Sequence, residues 1–476
     1  MKKSIKTNYI YNLLYQIIYL AMPLITTPYI SRMLGSSGVG VYSYSMSITT
    51  YFILFGSLGI SLYGQREIAY NQNSKSKRSK IFWELFFLRL ITMIISMTIY
   101  FLIFAIKGEY HIYFRILLLE MLANIFNVSW FYYGLENFKN ISIRNILIEI
   151  IASISLFVFV KSSNDVIIYV FIYSARTLLS GVLSWIGISK LIEFPKKLNI
   201  FCHFKKTLYL FIPQVAIQVY TVLDKTMIGS ILDDMSEVGY YEQSQKIIKA
   251  VLVLITGVTT VMMPKIASLY SENKKDKIEE YMNKTFKFVF MFTIPLMFGI
   301  IVTSNNFAPM FFGLGYEKVP TIMKILSVIV IFIAISNITG NQYLLSVKRE
   351  KEYTISVIIG AIINFSLNYI LIRYYKSYGA AIATVVAELF VTVVQLYFVR
   401  KDFKLRKVFS GSINYWIAGL VMFGTCYFLD TQLEHLLMSF IVEICFGTII
   451  YFVLLVLLKD KFLFELLDSV KKLFFK

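Results

Sequence analysis

The sequence is short of charge, and the charge that it has is mostly of one sign. Only 16% of its 476 residues are Asp, Glu, Lys or Arg, against roughly 25% in a soluble domain. Hydrophobic residues make up 57% of the chain, and its mean hydropathy is +0.67. So little charge does not suffice to cover a soluble surface. The composition therefore excludes an ordinary soluble protein and indicates an integral membrane protein.

Residues that hold metals and cofactors are also scarce. The chain has 3 His and 3 Cys, and Cys202, Cys426 and Cys445 lie far apart, without a Cys-x-x-Cys pair or another metal-ligand spacing. The sequence contains no P-loop and no glycine-rich phosphate cradle. It therefore predicts isolated thiols within or beside helices, no metal site and no cofactor.

The net charge of +19 does not indicate a nucleic-acid-binding protein, because the basic residues lie between helix-length apolar runs. Since about 20 apolar residues cross a bilayer, we predict about fourteen transmembrane helices. They lie at residues 9–31, 40–63, 81–106, 112–134, 145–161, 166–189, 208–231, 244–264, 286–304, 320–342, 354–372, 378–399, 413–430 and 436–458. Most of the 47 Lys and Arg lie at the two termini and in every second gap. This positive-inside pattern predicts that both termini are cytoplasmic.

Residues 23–44 are partly repeated about half a chain later. Four matches occur in the same order and at nearly the same offset: Val39-Gly40 with Val238-Gly239, 58–69 with 256–267, 127–129 with 337–339, and Leu135 with Leu345. Such a series predicts a duplicated architecture. We therefore predict an all-α membrane fold with two pseudo-symmetric six-helix lobes, 1–200 and 201–400, around a central cleft, and two additional transmembrane helices in 401–476. An even number of spans separates the matched segments, which predicts a pseudo-two-fold axis along the membrane normal.

Several short motifs carry a resemblance to a known family. They are PLITTPYISRMLG at 23–35, Gly38-Val39-Gly40, GISLYGQREIA at 59–69, WFYYGLE at 130–136, Asp224-Lys225 with Gly229, and Leu344-Leu345-Ser346 followed by Lys348-Arg349-Glu350. With these motifs the chain resembles the bacterial polysaccharide exporters of the Wzx type, which are flippases for undecaprenyl-diphosphate-linked oligosaccharides. Those exporters belong with lipid II flippases and multidrug extrusion proteins in the multidrug/oligosaccharidyl-lipid/polysaccharide exporter superfamily. The likeness spans the whole chain.

The resemblance implies a transporter of the bacterial cytoplasmic membrane and not an enzyme. Its substrate would be a lipid-linked oligosaccharide repeat unit for a surface polysaccharide such as capsule or O-antigen. The mechanism implied is alternating access, in which a binding site opens to one side of the membrane and then to the other. The expected partners are the substrate, membrane lipids, and the polymerase and chain-length regulator of the same pathway, with no nucleic acid.

Charged residues inside the predicted spans are the first candidates for the translocation path. A charge in the bilayer is costly unless it faces protein or water. Arg89 in the third span and Arg176 in the sixth are the deepest cations, and arginine offers a planar fork of donors to diphosphate oxygens. The alternative is a structural ion pair, for Arg89 with Glu120 or Glu149. Glu120 is also the first candidate for a carboxylate that couples transport to a proton or cation.

Lys246 and Lys249 in the eighth span are candidates for holding the anionic headgroup. They lie three residues apart and share one helix face. The repeat aligns them with Ser47 and Thr50, so the other half of the fold does without charge at these positions. The alternative is a structural pair between Lys246 and Glu242, four residues earlier.

Four further charged residues complete the predicted cleft. Arg32 ends the first apolar run, and Arg66 lies at the cytoplasmic end of the second span. Asp224 and Lys225 belong to the motif that resembles the start of the second lobe. Arg66 is either an anchor to lipid headgroups or a contact at substrate entry.

Two other classes of function stay open. A multidrug or cation antiporter has the same fold, but its cleft should carry acids, whereas the cations predicted here favour an anionic ligand. An integral membrane enzyme, such as a polysaccharide polymerase, would need an outer loop that carries catalytic residues. The outer gaps between the predicted spans are too short to form such a loop.

Overall fold

The computed structural model describes residues 5–432 and 436–474. Within those ranges every regular element is a helix, and no strand is present. The predicted all-α fold is therefore confirmed. The chain divides into two compact units, Met1–Gly239 and Tyr240–Lys476, which we call the N-terminal and C-terminal units. The three predicted regions, 1–200, 201–400 and 401–476, stay predictions, because compactness alone does not define the limits of a repeat.

The N-terminal unit is built around its first long helix. Its helices are α1 (Ile5–Ser57), α2 (Ile60–Tyr70), α3 (Lys75–Tyr100), α4 (His111–Phe126), α5 (Ser129–Gly134), α6 (Phe138–Phe159), α7 (Val166–Leu183) and α8 (Phe204–Ile231). A π-helical turn, Phe101–Ala105, continues α3, and 3₁₀ turns lie at Ser163–Asp165, Ile188–Lys190 and Ile200–His203. Helix α1 packs against α3, α4, α6 and α8, while α4 packs against α7 and α2 against α5.

The C-terminal unit is built around α10. Its helices are α9 (Met235–Ser271, which begins at the end of the N-terminal unit), α10 (Lys275–Phe312), α11 (Val319–Ser327), α12 (Ile329–Ser336), α13 (Glu350–Val399), α14 (Leu405–Ser410), α15 (Ile413–Asp430), α16 (Leu436–Leu457) and α17 (Lys461–Phe474). A π-helical segment, Asn337–Leu344, follows α12. Helix α10 packs against α11, α12, α15 and α16.

The number of described helices agrees with the predicted spans. Eleven described helical segments are long and apolar enough to cross a membrane. Two of them, Ala21–Tyr70 and Glu350–Val399, have 50 residues each, which is enough for two crossings. Each contains a break, at Gly35 with φ 67° and at Lys376 with φ 52°. Helix α8 occupies the predicted seventh span, so the described helices agree with a count of about fourteen.

Glycines at matched positions of the repeat allow α1 and the start of α9 to come into backbone contact. A Cβ at Gly40 would lie 1.8 Å from the carbonyl oxygen of Met235, and a Cβ at Gly239 would lie 2.0 Å from that of Ser36. No side chain fits at either position, so both require glycine. The contact is reciprocal, because the repeat matches Gly40 with Gly239. This gives the Val39-Gly40 and Val238-Gly239 match a structural cause.

Two of the motifs that carry the family resemblance pack against each other through α2 and α5. A Cβ at Gly64 would lie 2.5 Å from the ring of Trp130, and a Cβ at Gly134 would lie 2.7 Å from the carbonyl oxygen of Gln65. Fully buried side chains from α2, α3 and α5 surround this contact, among them Tyr63. The motifs 59–69 and 130–136 therefore form one packing unit.

In the C-terminal unit, the motif residue Arg349 ties the two ends of α13 together. Its guanidinium donates to Glu352 at 2.9 Å, to Asp402 at 2.6 Å and to the carbonyl oxygen of Phe398 at 3.0 Å. A straight helix of 50 residues would be about 75 Å long. The two ends meet because the chain reverses its direction at Lys376.

Candidate functional site

Three neighbouring helices of the N-terminal unit bring together charged side chains from predicted spans. Arg176 on α7 donates from Nη1 to both carboxylate oxygens of Glu149 on α6, at 2.9 and 3.0 Å. Its guanidinium also lies over the ring of Tyr173, 4.7 Å from the centroid. Thr177, the next residue of α7, donates to Glu120 on α4 at 3.1 Å. We call these five residues the Arg176 cluster.

The Arg176 cluster is partly open. The side chains of Arg176 and Glu149 are 22% and 12% exposed. The ring of Tyr169 lies 4.9 Å from that of Tyr42 and 4.8 Å from that of Tyr173, so tyrosines from α1 and α7 form an aromatic wall beside the pair. A partly exposed guanidinium can bind an oxyanion in exchange for its carboxylate. Tyrosine offers an apolar face and a polar hydroxyl together, which suits a sugar ring.

Arg89 occupies a different environment in the same unit. It is 2% exposed. Its Nη1 donates to the carbonyl oxygens of Asn124 and Asn127, at 3.3 and 2.8 Å, and its Nη2 donates to the hydroxyl of Ser61 at 2.8 Å. Helix α4 ends at Phe126, so these carbonyls belong to a helix terminus, where the backbone lacks intrahelical donors and attracts positive charge. Arg89 therefore supplies hydrogen-bond donors to the carbonyl groups at the C-terminal end of α4.

The expected alternative for Arg89, an ion pair with Glu120 or Glu149, is wrong. The hydrogen bonds that the described residues show for Arg89 go to two carbonyls and one hydroxyl, and Glu149 is paired with Arg176 instead. The sequence identified the acid as a structural partner but assigned it to the other arginine. The reason is that α6 packs against α7, which no periodicity reveals.

Lys246 and Lys249 lie on α9 of the C-terminal unit. The Nζ of Lys246 is 3.8 Å from the Oε1 of Glu242, and the Lys246 side chain is 35% exposed. Lys249 is exposed. The alternative contact predicted between Lys246 and Glu242 is therefore present. The role of the two lysines toward a headgroup stays a prediction.

The four other predicted residues also belong to the N-terminal unit. Arg32 is exposed on α1. Arg66 is exposed on α2, with its guanidinium carbon 5.7 Å from the centroid of the Tyr63 ring. Asp224 on α8 is buried and Lys225 is half-buried. Their part in a translocation path stays a prediction.

The C-terminal unit contains an apolar groove that the sequence does not predict. It has a volume of about 630 Å³ and is lined mainly by α10, α15 and α16. Gly299 and Gly447 lie on its walls, while Phe288, Phe292 and Phe452 supply much of its apolar surface. These two glycines indicate a groove only if one already knows that α10 packs against α16. The groove therefore depends on tertiary structure that one sequence does not reveal.

One acid lines this groove. Glu443 is 3% exposed and accepts a hydrogen bond at 2.8 Å from the side-chain amide of Asn306, which also donates to Asp430 at 2.6 Å. The amide therefore bridges two carboxylates at one end of an otherwise apolar surface. Such a surface can accept a hydrocarbon chain and offers few donors to a polar solute.

Two comparisons of sequence and one of structure place the chain among known proteins. It is 25% identical over 412 residues to the "Putative O-antigen transporter" of Escherichia coli (strain K12), and the match covers 84% of this chain and 98% of that protein. It is 24% identical to the "Probable low-salt glycan biosynthesis flippase Agl15" of Haloferax volcanii, over 59% of this chain and 60% of that protein. The solved lipid II flippase MurJ, in an inward closed conformation, has the same fold with a TM-score of 0.77 and 18% identity, over 94% of this chain and 99% of that one.

Two family descriptions match the sequence. The MatE description covers residues 210–370. The description "Polysaccharide biosynthesis protein" covers residues 5–270, which is more than half of the chain. The chain therefore belongs to the polysaccharide biosynthesis protein family.

Proposed function

We propose that this protein is a flippase that moves undecaprenyl-diphosphate-linked oligosaccharide repeat units across the bacterial cytoplasmic membrane by alternating access. The names of its relatives, an O-antigen transporter and a glycan biosynthesis flippase, support this proposal. The observation that carries it is the apolar groove of the C-terminal unit. A transporter of soluble solutes has no need of such a groove, whereas a carrier of a lipid-linked glycan must accommodate a hydrocarbon tail.

The physical chemistry of the groove suits a tail that moves. Lipid tails are as apolar as the side chains of α10 and α16, so transfer of a prenyl chain from the bilayer to the groove changes its free energy little. The tail therefore neither binds tightly there nor resists departure. The polar end at Asn306, Asp430 and Glu443 marks where the apolar surface stops. We assign the groove to the prenyl tail.

We assign the diphosphate to the Arg176 cluster. In the absence of substrate, Glu149 pairs with Arg176 and so spares the bundle an unpaired buried charge. A diphosphate can form the bidentate bonds that a guanidinium prefers, and it carries more charge than one carboxylate. We infer that it displaces Glu149 from Arg176. The tyrosine wall of Tyr42, Tyr169 and Tyr173 then lies beside the first sugars.

The remaining predicted residues receive secondary roles in the same scheme. Arg32 and Arg66 attract the headgroup before it enters, and Asp224 and Lys225 lie along its path. Lys246 and Lys249 contact the headgroup from the C-terminal unit. Glu120 is the carboxylate for proton or cation coupling. The termini are cytoplasmic, and the polymerase and chain-length regulator of the pathway receive the product.

The direct test is transport by the purified protein in vesicles. A fluorescent undecaprenyl-diphosphate-linked oligosaccharide is incorporated into both leaflets, and an impermeant reductant destroys the label in the outer leaflet. We expect the inner pool to become accessible only when the chain is present. A lipid with the same tail and no diphosphate or sugar is the control, and its inner pool should stay protected. A folded protein that leaves the inner glycolipid protected but moves organic cations would overturn the proposal.

A further inference from the structure

A second polar cluster lies outside the Arg176 cluster, where the 3₁₀ turn Ile200–His203 contacts α3. The Nε2 of His203 is 2.9 Å from the Oε2 of Glu84, and the Sγ of Cys202 is 3.9 Å from the same oxygen. One ligand atom from each of the three residues lies within 4.8 Å of the others. Glu84 and His203 are buried, while Cys202 is exposed. The cluster thus has two fixed ligands and one at an open edge.

The outer atoms of the two buried side chains are already engaged. The Oε1 of Glu84 accepts a hydrogen bond from the backbone N–H of Asn199 at 2.7 Å. The Nδ1 of His203 is 3.0 Å from the hydroxyl of Tyr63, which is fully buried. These bonds leave Oε2 and Nε2 turned toward each other. Metal-binding histidines and carboxylates are commonly oriented in this way by a second partner.

We propose that Glu84, Cys202 and His203 bind one zinc ion or a similar divalent metal. Thiolate, imidazole and carboxylate are the ligands that zinc takes in proteins. A tetrahedral zinc ion holds its ligand atoms about 3.3–3.6 Å apart. Two of the observed distances, 2.9 and 3.9 Å, bracket that range, and the third is at most 4.8 Å, so side-chain shifts of about an ångström accommodate the ion. Water takes the fourth position.

The surroundings allow an ion to enter and be held. Cys202 lies at the exposed edge of the cluster, which gives an entry path. Lys80 lies beside the cluster, with its Nζ 3.9 Å from the Oε1 of Glu84, on the oxygen that the ion does not use. Its side chain is 52% exposed, so it can turn away into solvent at little cost.

The ion would fasten the segment that precedes α8 to the N-terminal half of α3. The ligands come from positions 84, 202 and 203, so a single bond network joins chain segments more than a hundred residues apart. Zinc sites of this kind contribute free energy directly to folding. The site has no part in the proposed transport, and its test needs no transport assay.

The test is metal content. The full chain is purified in detergent through a tag without histidines, and zinc is counted by mass spectrometry. We expect about one zinc ion per chain in the wild type. His203→Asn and Cys202→Ser should each lower the zinc content or its affinity about tenfold or more. Cys445→Ser removes an exposed thiol outside the cluster and should leave the zinc content unchanged.

Two further measurements keep the test independent of folding defects. Reconstitution of the metal-free wild type with cobalt should give a thiolate-to-cobalt charge-transfer band that Cys202→Ser lacks. Tyr63→Phe removes only a hydroxyl, and it should weaken zinc binding by about tenfold while the site still fills at high zinc concentration. A well-folded wild type that contains no zinc and takes up neither zinc nor cobalt would overturn the proposal, and the cluster would then be a hydrogen-bonded contact alone.

Discussion

Two arginines in the N-terminal unit show how differently one residue type is used within a membrane protein. Arg89 is 2% exposed and donates to backbone carbonyls and a hydroxyl. Arg176 has a side chain that is 22% exposed, and it pairs with the carboxylate of Glu149. The carbonyls that bind Arg89 are backbone groups fixed at a helix end. The carboxylate that binds Arg176 is a side chain, and another anion can take its place on the guanidinium. We therefore propose that Arg89 serves the structure and that Arg176 contacts the substrate.

The largest effect is expected from Arg89→Ala, which removes the hydrogen bonds that Arg89 donates to the end of α4. The change removes the donor shared by two half-buried carbonyls and by the hydroxyl of the exposed Ser61. The cost is up to about 1–3 kcal/mol for each carbonyl that stays shielded from water. We expect loss of folded protein, measured as the yield of monodisperse protein and its thermal midpoint in detergent. If Arg89→Ala folds with wild-type stability and only transport is lost, Arg89 contacts the substrate instead.

The next largest effect is expected from Arg176→Gln, which removes the guanidinium that we assign to the diphosphate. Loss of a charge-assisted contact to the diphosphate costs about 1.5–3 kcal/mol, so the flipping rate at low substrate should fall about tenfold or more. Arg176→Lys should recover little, because an ammonium lacks the planar fork.

A double variant separates transport from stability at this site. Arg176→Gln alone leaves Glu149 buried and unpaired, which itself destabilises the protein. Arg176→Gln with Glu149→Gln removes both charges and should restore the thermal midpoint toward the wild type. Transport should stay low in that protein. Recovery of transport along with stability would show that the pair is structural.

A smaller effect is expected in the C-terminal unit, where two lysines allow a structural contact to be distinguished from a substrate contact. The pair between Lys246 and Glu242, at 3.8 Å and partly exposed, contributes about 0–1 kcal/mol. Glu242→Gln should therefore change stability and transport little. Lys246→Gln with Lys249→Gln should slow glycolipid flipping severalfold without unfolding the protein. Equal damage from Glu242→Gln would make the lysine contact structural.

The smallest effect is expected from Arg66→Ala. This arginine is exposed, and its distance of 5.7 Å from the Tyr63 ring allows a cation–π contact worth about 0.5–1 kcal/mol. We expect the thermal midpoint to stay near that of the wild type, with a modest fall in flipping at low salt that becomes smaller at high salt, because salt screens the attraction of an exposed charge. A loss of transport as large as that of Arg176→Gln would place Arg66 on the substrate path.

Hydropathy and the positive charges predicted the membrane class and the number of spans, because burial in lipid constrains every residue of a helix. Local signals such as the glycines at 40 and 239 also predicted a repeat. The sequence did not predict which helices pack together. It therefore offered Glu149 as an alternative partner of Arg89 and not of Arg176. It also did not predict the groove of α10 and α16 or the distance of 3.9 Å between the Cys202 thiol and Glu84. Each of these depends on contacts between distant segments.

The most direct test is the affinity of the detergent-solubilised protein for undecaprenyl diphosphate. If the diphosphate displaces Glu149 from Arg176, Glu149→Gln removes the competitor. We expect this variant to bind the lipid more tightly than the wild type and Arg176→Gln to bind it more weakly. Unchanged affinity in both variants would contradict the assignment of Arg176 to the substrate.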